Sequence, residues 1–580
     1  MSQLGIHHTS TRARPSVPTS REFGANVEAA RIVDEELESL EAQIRDIKVH
    51  RNTLVLIARL PPEILSTVFL ILRDVPPSLL PQGTGMEWMA VSCVCTHWRQ
   101  VALNCPDLWS HIDIRRNSAF VEAFLERSKQ VPLIFSAKIT HSSQKDVGIS
   151  LTNMCRMRRL FLFSQTHLLN ASLLNTLETH PAPLLEQFSL GWPTKETSTP
   201  AKTLTSLFGG IHPVLRKLRL IRCNISWNFP PFTTLVDLFI EGAPSRDAHC
   251  PSVAQLISIL QNTPCLENLN IVGTIPSPPA DVAPSTSVLL PHLAVMGLRS
   301  GIRQCIELLG HMSYPAASVI HIDSLGVGSY TLEEASEIVH RVLNSERLIG
   351  TRPPIQYLRV RSPISFDYGD GLLTVEAWDS LDNLRDEPFT VPRIELAVYM
   401  STDDSTLLTE VDHIGFWDAL PLEGLHTLDI IDLDVQEPLW LRLFGRLEGL
   451  TILKFKPLLD DGPTSILEAS TFPPFITNEG HDQNISQEFP GVYLPALREL
   501  SISEWNFKLS SVGSEQTSIL LNYLARFLMT RENLGAGIEA LNINSCRNLS
   551  WDAVEELKKL VPNIHWDVLV AMSEDEEDDS

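Results

Sequence analysis

A short apolar template recurs along most of this chain and constrains its fold more than any other feature. The template has apolar residues at its first, fourth and sixth positions, as in Leu215, Leu218 and Leu220 of "LRKLRL". Successive copies over residues 215–293 begin 20, 31 and 27 residues apart. Each copy therefore predicts one short strand. The copies begin at Leu215, Leu235, Leu266, Leu293, Ile355, Leu425, Leu450, Leu497 and Ile538, with weaker ones at Met157 and Leu185.

Two copies extend the template in the same way. Cys223 and Cys546 each follow the first apolar position by eight residues. In leucine-rich repeats, which recur every ~20–29 residues, Asn or Cys occupies this ninth position, and a small buried group there serves the turn backbone. Helix-like segments such as "PSVAQLISILQNTP" separate the copies. The pattern predicts an α/β fold over residues 115–570, an irregular leucine-rich-repeat solenoid in the form of an arc or horseshoe. Long loops are expected near 274–288 and 460–493.

Side chains alternate along a strand, so the residues between the buried apolar positions are expected to line the concave face of the arc. Both charge signs occur among them together with Phe239 and Tyr357, a mixture that suits a protein or peptide ligand. For each single residue the alternative is a solvated strand face. The predicted substrate-binding residues are Lys217, Arg219, Asp237, Phe239, Asn268, Asn270, Tyr357, Arg359, Thr427, Asp429, Glu499 and Ser501.

Residues 57–114 form a separate segment with two predicted short apolar helices. Pro61 and Pro62 open the first helix, where the amide groups have no intrahelical partner, and Glu63 is favoured near the positive helix end. A loop with three prolines follows. The second helix is predicted as one continuous amphipathic stretch, because its apolar residues recur at helical spacing. Those residues are Val91, Val94, Cys95, Trp98, Val101 and Ala102.

The order "LPPEILSTVFL", then "VSCVCTHWRQVALNCPDLWSHI" resembles an F-box, in the form common in fungal proteins. The resemblance implies docking to a Skp1-type adaptor and, through it, to a cullin. A purely structural alternative is that these apolar side chains form the small core of the segment. Some of them must do so, yet the apolar faces are wide for a unit of this size. The predicted adaptor-binding residues are Leu60, Pro61, Pro62, Glu63, Ile64, Leu65, Phe69, Val91, Val94, Cys95 and Trp98.

A helix with a short heptad pattern is predicted over residues 26–56, after a disordered arm at residues 1–25. Its apolar residues alternate steps of four and three; they are Val33, Leu37, Leu40, Ile44 and Ile47. Roughly two heptads are fewer than the three or four that an independent coiled coil needs. Docking on the same chain is therefore favoured over self-association.

Composition indicates which kind of partner the chain can bind and in which cellular compartment it is expected. Apolar residues make up 43% of the chain and charged residues 20%, as in a folded protein. The net charge of −24 disfavours nucleic acid, which needs clustered Lys and Arg; part of it lies in an acidic tail at 571–580. Nine scattered cysteines indicate a reducing compartment, the cytoplasm or nucleus. Neither a signal peptide nor a membrane span is expected.

The sequence contains no catalytic motif with the required spacing, so an enzyme is not expected, and no cofactor or metal is implied. Cys93, Cys95, His97 and Cys105 lie close together in the sequence. Cys95 shares the predicted apolar face with Trp98, however, which favours a core thiol over a zinc ligand. The expected function is substrate recognition in an SCF-type cullin-RING ubiquitin ligase, within the ubiquitin-conjugation pathway. The alternative is a non-catalytic repeat scaffold acting outside any ligase.

Overall fold

The structure, a computed structural model, divides the chain into two compact units, residues 1–112 with 117–133 and residues 113–116 with 134–580. The residues that the structure describes are 20–75, 86–114, 120–164, 171–192, 204–223, 225–227, 232–242, 250–273, 275–276, 287–324, 332–343, 346–351, 353–361, 370–380, 391–401, 412–420, 422–431, 440, 443, 446–456, 492–507 and 519–567. The predicted arm up to residue 19, most of the two predicted long loops and the acidic tail lie outside the described residues.

The first unit is helical. Its helices are α1 (Ser20–Thr53), α2 (Pro62–Asp74), α3 (Thr96–Leu103) and α4 (Val121–Arg127), with 3-10 turns at Leu56–Arg59, Glu87–Cys93 and Pro106–Trp109. The helix predicted at 26–56 is present as α1, which begins six residues earlier. The unit continues beyond Ile114, the end of the predicted segment, and includes α4. Sequence periodicity did not indicate α4, which is only 7 residues long.

The second unit alternates short helices with short strands. Its helices are α5 (Gln144–Leu151), α6 (Ala171–Thr179), α7 (Val253–Gln261), α8 (Ile302–His311), α9 (Leu332–Leu343), α10 (Asp412–Ala419), α11 (Ile519–Asn533) and α12 (Trp551–Leu557). Further 3-10 turns span Met154–Arg156 and Phe208–Gly210.

The strands, numbered along the whole chain, are β1 (His111–Asp113), β2 (Leu133–Ile139), β3 (Met157–Ser164), β4 (Gln187–Gly191), β5 (Lys217–Ile221), β6 (Asp237–Glu241), β7 (Asn268–Val272), β8 (Val288–Leu289), β9 (Val295–Ser300), β10 (Met312–Ser313), β11 (Val319–Ser324), β12 (Tyr357–Arg361), β13 (Asp370–Trp378), β14 (Ile394–Ser401), β15 (Thr427–Ile431), β16 (Ile452–Lys456), β17 (Glu499–Ser503), β18 (Ala540–Asn544) and β19 (Asn563–Trp566).

Every copy of the apolar template coincides with a strand, which confirms the predicted strand positions. The copies starting at Leu215 and Ile538, for example, contain β5 and β18. From β3 to β7 and on to β9 and β11, neighbouring strands pair in parallel. The strands from β15 to β19 do the same. The fold is a mixed α/β arrangement with a long, mostly parallel sheet.

The prediction of one strand per unit is wrong between β11 and β15. There β12, β13 and β14 form an antiparallel meander, and β14 pairs in parallel with β11 while β12 pairs in parallel with β15. The long chain segment between the template copies at Ile355 and Leu425 contains the extra strands β13 and β14. Since β13 is antiparallel to both of its neighbours, the parallel direction is preserved on either side of the meander.

The core lies beneath one face of the sheet, because alternate strand residues are buried. In β5, Leu218 and Leu220 are buried while Lys217 and Arg219 are exposed. The predicted ninth-position cysteines are also buried, and each donates its S–H to the strand before it. The Sγ of Cys223 lies 3.2 Å from the Leu190 carbonyl oxygen, and that of Cys546 lies 3.9 Å from the carbonyl oxygen of Ile502. Both thiols therefore serve the backbone of the preceding strand, and their predicted service to the turn backbone stays a prediction.

Candidate functional site

The helix α2 begins where the sequence predicts. Pro62 is its first residue, where a missing amide hydrogen costs nothing, and Glu63 lies in the first turn. Leu65 and Phe69, one helical turn apart, are buried in the first unit. The Phe69 ring packs against Trp98 with a centroid separation of 5.2 Å.

The predicted continuous second helix is wrong. Residues Glu87–Cys93 form a 3-10 helix, Cys95 is extended, and α3 begins only at Thr96. A 3-10 helix has three residues per turn, so Trp88 and Val91 lie on one stripe, and both are buried. Cys95 is half-buried rather than in the core, and its sulfur accepts the Trp98 backbone N–H at 3.5 Å. The thiol therefore caps α3.

An aromatic cluster forms the core of the first unit. Trp109 packs edge-on against Trp88 at 5.4 Å and against Phe124 of α4 at 5.1 Å between centroids. Its indole Nε1 donates to the carbonyl oxygen of Ala102 at 2.8 Å. The Arg127 guanidinium lies 4.5 Å from the Trp109 ring centre. Sequence analysis missed Phe124 and Arg127, since α4 is too short to show a helical period.

A second apolar stripe on α2 stays in contact with solvent. Ile64 and Ile71 are 50% and 62% exposed, and Val68 between them and Leu72 after them are also exposed. Turns of 3.6 residues place this stripe beside the buried one formed by Leu65 and Phe69. The helix thus has more apolar surface than the core of its unit covers.

Apolar exposure continues next to α2 in the chain. The segment between α1 and α2 carries four exposed aliphatic side chains, and Val94, after the 3-10 helix at Glu87–Cys93, is 59% exposed. Exposed aliphatic residues concentrated in this way are typical of protein-binding surfaces. We call the set the apolar ledge; it comprises Leu54, Val55, Leu56, Ile57, Ile64, Val68, Ile71, Leu72 and Val94.

In the second unit, strand register places the predicted concave-face residues in two adjacent rows of one sheet face. Arg219, Phe239 and Asn270 are directly opposite one another, and Arg359 is opposite Asp429 in the same row. From β3 to β19 the row is Phe161, Ser189, Arg219, Phe239, Asn270, Gly297, His321, Glu395, Glu376, Arg359, Asp429, Lys454, Ser501, Asn542 and His565.

The second row, two residues earlier along the strands, contains the other candidates in two registered groups. One group consists of Lys217, Asp237 and Asn268. The other joins Tyr357 to Thr427 and, across Ile452, to Glu499. Register is what brings together residues that are far apart in the sequence, because in-register neighbours share a face.

Several candidates in these rows are not free surface. Tyr357, Thr427, Asp429 and Ser501 are buried, which corrects the expectation that they line an open face. For Tyr357 the cause is local, since Trp378 packs edge-on against it with centroids 5.0 Å apart and the Arg359 guanidinium lies 5.6 Å from its ring centre.

The buried candidates form a charged network. Arg359 donates from Nε to Asp429 Oδ2 at 2.9 Å and from Nη1 to Glu376 Oε2 at 3.2 Å. The Tyr357 hydroxyl accepts from Arg359 Nη2 at 3.1 Å and donates to Asp429. Burial raises the pKa of Tyr357, and the Asp429 carboxylate raises it further, so the phenol keeps its proton. This network fixes side chains in the middle of the face.

The β5–β7 part of the face is more accessible. Lys217 and Arg219 are exposed, Asn270 is exposed, and Asp237, Phe239 and Asn268 are half-buried. The Arg219 guanidinium lies 4.1 Å from the centre of the Phe239 ring, and Lys217 Nζ lies 3.8 Å from Asp237 Oδ2. This part has an aromatic ring, both charge signs and two amides within three neighbouring strands.

Among the described residues, no cluster of three or more His, Cys, Asp or Glu side chains could hold a metal ion. Within the same residues, no helix is long and apolar enough to cross a bilayer.

Comparison with protein families gives one match, to the family described as F-box-like, over residues 57–115. Those residues are an F-box-like domain. Domains of this kind generally bind Skp1-type adaptors, which suggests an adaptor role in SCF-type ubiquitin ligase complexes. Proteins that contain them are typically non-catalytic adaptors. No curated protein matches the chain.

Within the F-box-like domain, the predicted adaptor-binding residues fall into three groups according to their exposure to solvent. Leu65, Phe69 and Val91 are buried in the core of the unit. Leu60, Cys95 and Trp98 are half-buried. The remaining residues are exposed; they are Pro61, Pro62, Glu63, Ile64 and Val94. The structure also adds Val68, Ile71 and Leu72 of the apolar ledge, which the family pattern alone did not single out.

Proposed function

We propose that this protein is the substrate-recognition subunit of an SCF-type cullin-RING ubiquitin ligase. The observation that carries the proposal is the F-box-like domain, whose helix α2 has an exposed apolar stripe beside its buried one. An adaptor of the Skp1 type would cover that stripe. Half-exposed Ile64 and its neighbours Val68 and Ile71 would lose their contact with water, which is the dominant favourable term in association.

The residues of the F-box-like domain would then have two roles. Ile64 and Val94 would contact the adaptor directly, together with Pro61, Pro62 and Glu63 at the start of α2. Leu65, Phe69 and Val91 would act from the core by holding α2 and the 3-10 helix in position. Leu60 and Trp98 are both half-buried, so each would pack against the core with one part of its side chain and contact the adaptor with the other.

The second unit would bind the protein substrate through its polar sheet face. We assign the sheet to the leucine-rich-repeat class, on the support of the template spacing and the buried cysteines at the ninth position. The accessible part over β5–β7 suits a peptide or protein surface, because Phe239 can serve as an aromatic anchor with Arg219 and Asn270 around it. The network around Tyr357 would keep the adjacent part of the face rigid.

Catalysis would be supplied by other subunits of the ligase. This chain would contribute proximity, because a tethered substrate has a high effective concentration near the charged ubiquitin carrier. The protein would work in the cytoplasm or nucleus, in keeping with nine cysteines that are all free thiols.

The test is co-purification of the full chain with a Skp1-type adaptor and a cullin. The double variant Ile64→Asp with Val94→Asp places two charges on the apolar ledge, and we expect it to lose both partners. The matched control is Ile211→Asp with Val214→Asp, which changes the same residue types at exposed positions of the second unit, where Ile211 is 52% exposed. We expect this control to retain both partners.

Loss of adaptor and cullin in the ledge variant alone supports the proposal. Adaptor binding that survives the ledge variant contradicts the assigned docking surface. Adaptor capture without a cullin in the wild-type chain contradicts the ligase role and favours a scaffold acting outside a ligase.

A further inference from the structure

The helix α1 exposes an apolar seam that its own unit does not cover. The helix runs without interruption through Ser20–Thr53. The seam residues are each between 50% and 69% exposed; they are Val33, Leu37, Leu40, Ile44 and Ile47. The predicted docking of this seam on the same chain is therefore wrong among the described residues. A heptad seam is the pattern that packs against another helix.

Charge along α1 is segregated. The half before residue 42 is acidic and the half after it is basic, and all of these side chains are exposed. From residue 27 onward the first half contains Glu28, Arg31, Asp34, Glu35, Glu36, Glu38 and Glu41, and the second contains Arg45, Asp46, Lys48, His50 and Arg51. Each half keeps its net sign despite Arg31 in the first half and Asp46 in the second. Two such helices side by side in opposite directions bring unlike charges together.

The heptad positions allow the two orientations to be compared residue by residue. Asp34, Glu36, Glu41, Lys48 and His50 flank the seam. In a parallel pair, Glu36 of each copy lies next to Glu41 of the other, which gives two repulsive contacts and no compensating attraction. A parallel dimer is therefore disfavoured by its flanking charges.

In an antiparallel pair, the seam closes with Leu37 opposite Ile47 and Leu40 opposite Ile44 of the second copy. This alignment places Asp34 beside Lys48, and the two-fold axis makes the same contact a second time. It also places Glu36 beside His50 twice. One Glu41–Glu41 contact at the axis opposes the two Asp34–Lys48 attractions, so the flanking charges favour the antiparallel pair. The helix dipoles are also opposed, which is favourable.

We propose that α1 pairs antiparallel with α1 of a second copy of this chain. The contact region would run from Val33 to Arg51, ~27 Å at 1.5 Å per residue. The aliphatic stem of Arg51 would cover Val33 of the second copy. The contact is about two and a half heptads long, shorter than a stable independent coiled coil, so we expect a weak association that depends on protein concentration. The charges favour a partner helix whose acidic and basic halves run in the opposite order. An antiparallel α1 of a second copy is such a helix.

Charge segregation has a second physical effect, since acidic residues near the N-terminus and basic ones near the C-terminus also stabilise an isolated helix. Local ion pairs also occur within α1, such as Arg31 Nη1 with Glu35 Oε1 at 2.5 Å. Helix stability does not require an apolar seam, however, and its five exposed aliphatic residues would only lower solubility. Pairing accounts for the seam and the charges together.

The first experiment measures the mass of the full chain by sedimentation over a concentration series. We expect a monomer–dimer equilibrium in the wild type. Leu40→Glu with Ile44→Glu should give a monomer at every concentration. The control, Ala42→Glu with Val49→Glu, adds the same charge on the opposite, exposed face of α1 and should still dimerise. All four positions are exposed, so neither variant disturbs a core.

The second experiment tests orientation by charge reversal. Asp34→Lys or Lys48→Asp alone should weaken the dimer about tenfold, because two attractive contacts become repulsive. The double variant Asp34→Lys with Lys48→Asp should restore the wild-type affinity. In a parallel dimer, Asp34 faces Ala29 and Lys48 faces Gln43 of the other copy, so neither single change would matter.

Restoration by the double reversal supports the antiparallel pair. A dimer that is insensitive to both single reversals overturns the orientation, and a wild-type chain that stays monomeric at all concentrations overturns self-pairing and indicates a foreign helix. Equal loss in the seam and control variants overturns the seam as the contact. No adaptor is present in these assays, so their result is independent of the proposed ligase role.

Discussion

The hydroxyl of Tyr357 on β12 donates a hydrogen bond of 2.5 Å to Oδ2 of Asp429 on β15. The same carboxylate oxygen accepts from Arg359 at 2.9 Å. Both Tyr357 and Asp429 are buried, so water does not replace either bond easily. The contact joins the antiparallel meander to the parallel strands that follow it, at the centre of the polar sheet face.

Replacement of Tyr357 by Phe should lower the free energy of unfolding of the second unit by about 2 kcal/mol, the range for a hydrogen bond to a charged group. The ring would still pack on Trp378, so only the hydroxyl is tested. Urea unfolding followed by tryptophan fluorescence measures the change. A variant as stable as the wild type would show that Arg359 alone satisfies Asp429.

Local patterns predicted a large part of this fold. Every template copy coincides with a strand, because buried residues such as Leu218 and Leu220 leave a period of two in the sequence. The opening of α2 at Pro62 was also predictable, since proline and Glu63 act within one helical turn. The row that joins Arg219, Phe239 and Asn270 followed from the same strand alignment.

Features that depend on distant contacts were not predictable. The meander of β12–β14 has no template copy for β13 or β14, because antiparallel strands do not need the repeat spacing. The break between the 3-10 helix and α3 depends on packing of Trp88 against Trp109 and Phe124. Burial of Tyr357 depends on Trp378, a residue of another strand. In each of these cases, tertiary packing determines a conformation that the local sequence periodicity does not predict.

Asp323 on β11 should be a source of pH-dependent instability. Burial raises the pKa of Asp323 above its ordinary value of 3.8; Arg299 lowers the pKa and Glu395 raises it further, and the net change is upward. The folded state therefore disfavours the ionised form. At neutral pH the ionised Asp323 therefore lowers the free energy of unfolding. This loss of stability disappears as the pH falls through the folded-state pKa toward 3.8, because the folded protein binds the proton at a higher pH than the unfolded chain does.

The variant Asp323→Asn resembles the protonated form and should be more stable than the wild type near neutral pH. The difference should shrink as the pH approaches 3.8. Parallel urea titrations of both proteins at several pH values measure it. A loss of stability at neutral pH would show instead that the ion pair with Arg299, 2.9 Å between Nε and Oδ2, outweighs the burial of the carboxylate.

Thiol reactivity should divide the nine cysteines by exposure. Cys93, Cys155 and Cys265 are exposed and should react first with a thiol reagent in the native protein. Burial raises the pKa of Cys250 and Cys305 to about 12, so their thiolate is almost absent at neutral pH. Mass spectrometry after a short alkylation pulse identifies the modified sites. Early modification of Cys305 would contradict its place in the core.

Arg531 on α11 is fully buried and holds the turn before β17. Its Nη1 donates to the Tyr493 carbonyl oxygen at 2.7 Å and its Nη2 to that of Leu494 at 3.0 Å. Burial lowers the pKa of Arg531 to about 10, yet the group stays charged at neutral pH. Arg531→Met leaves buried carbonyls unsatisfied and should cost about 3 kcal/mol of unfolding free energy.

The matched control is Arg526→Met, on an exposed position of the same helix, which should change the stability by less than about 0.5 kcal/mol. Chemical denaturation of the two variants beside the wild type gives the comparison, and it separates the buried hydrogen bonds from any general effect of losing a positive charge on α11. Equal stability of the two variants would mean that the introduced methionine side chain packs well enough to compensate for the carbonyls, because apolar side chains of similar volume can replace a buried charge. A loss confined to Arg531→Met identifies the guanidinium as the group that fixes α11 to the sheet.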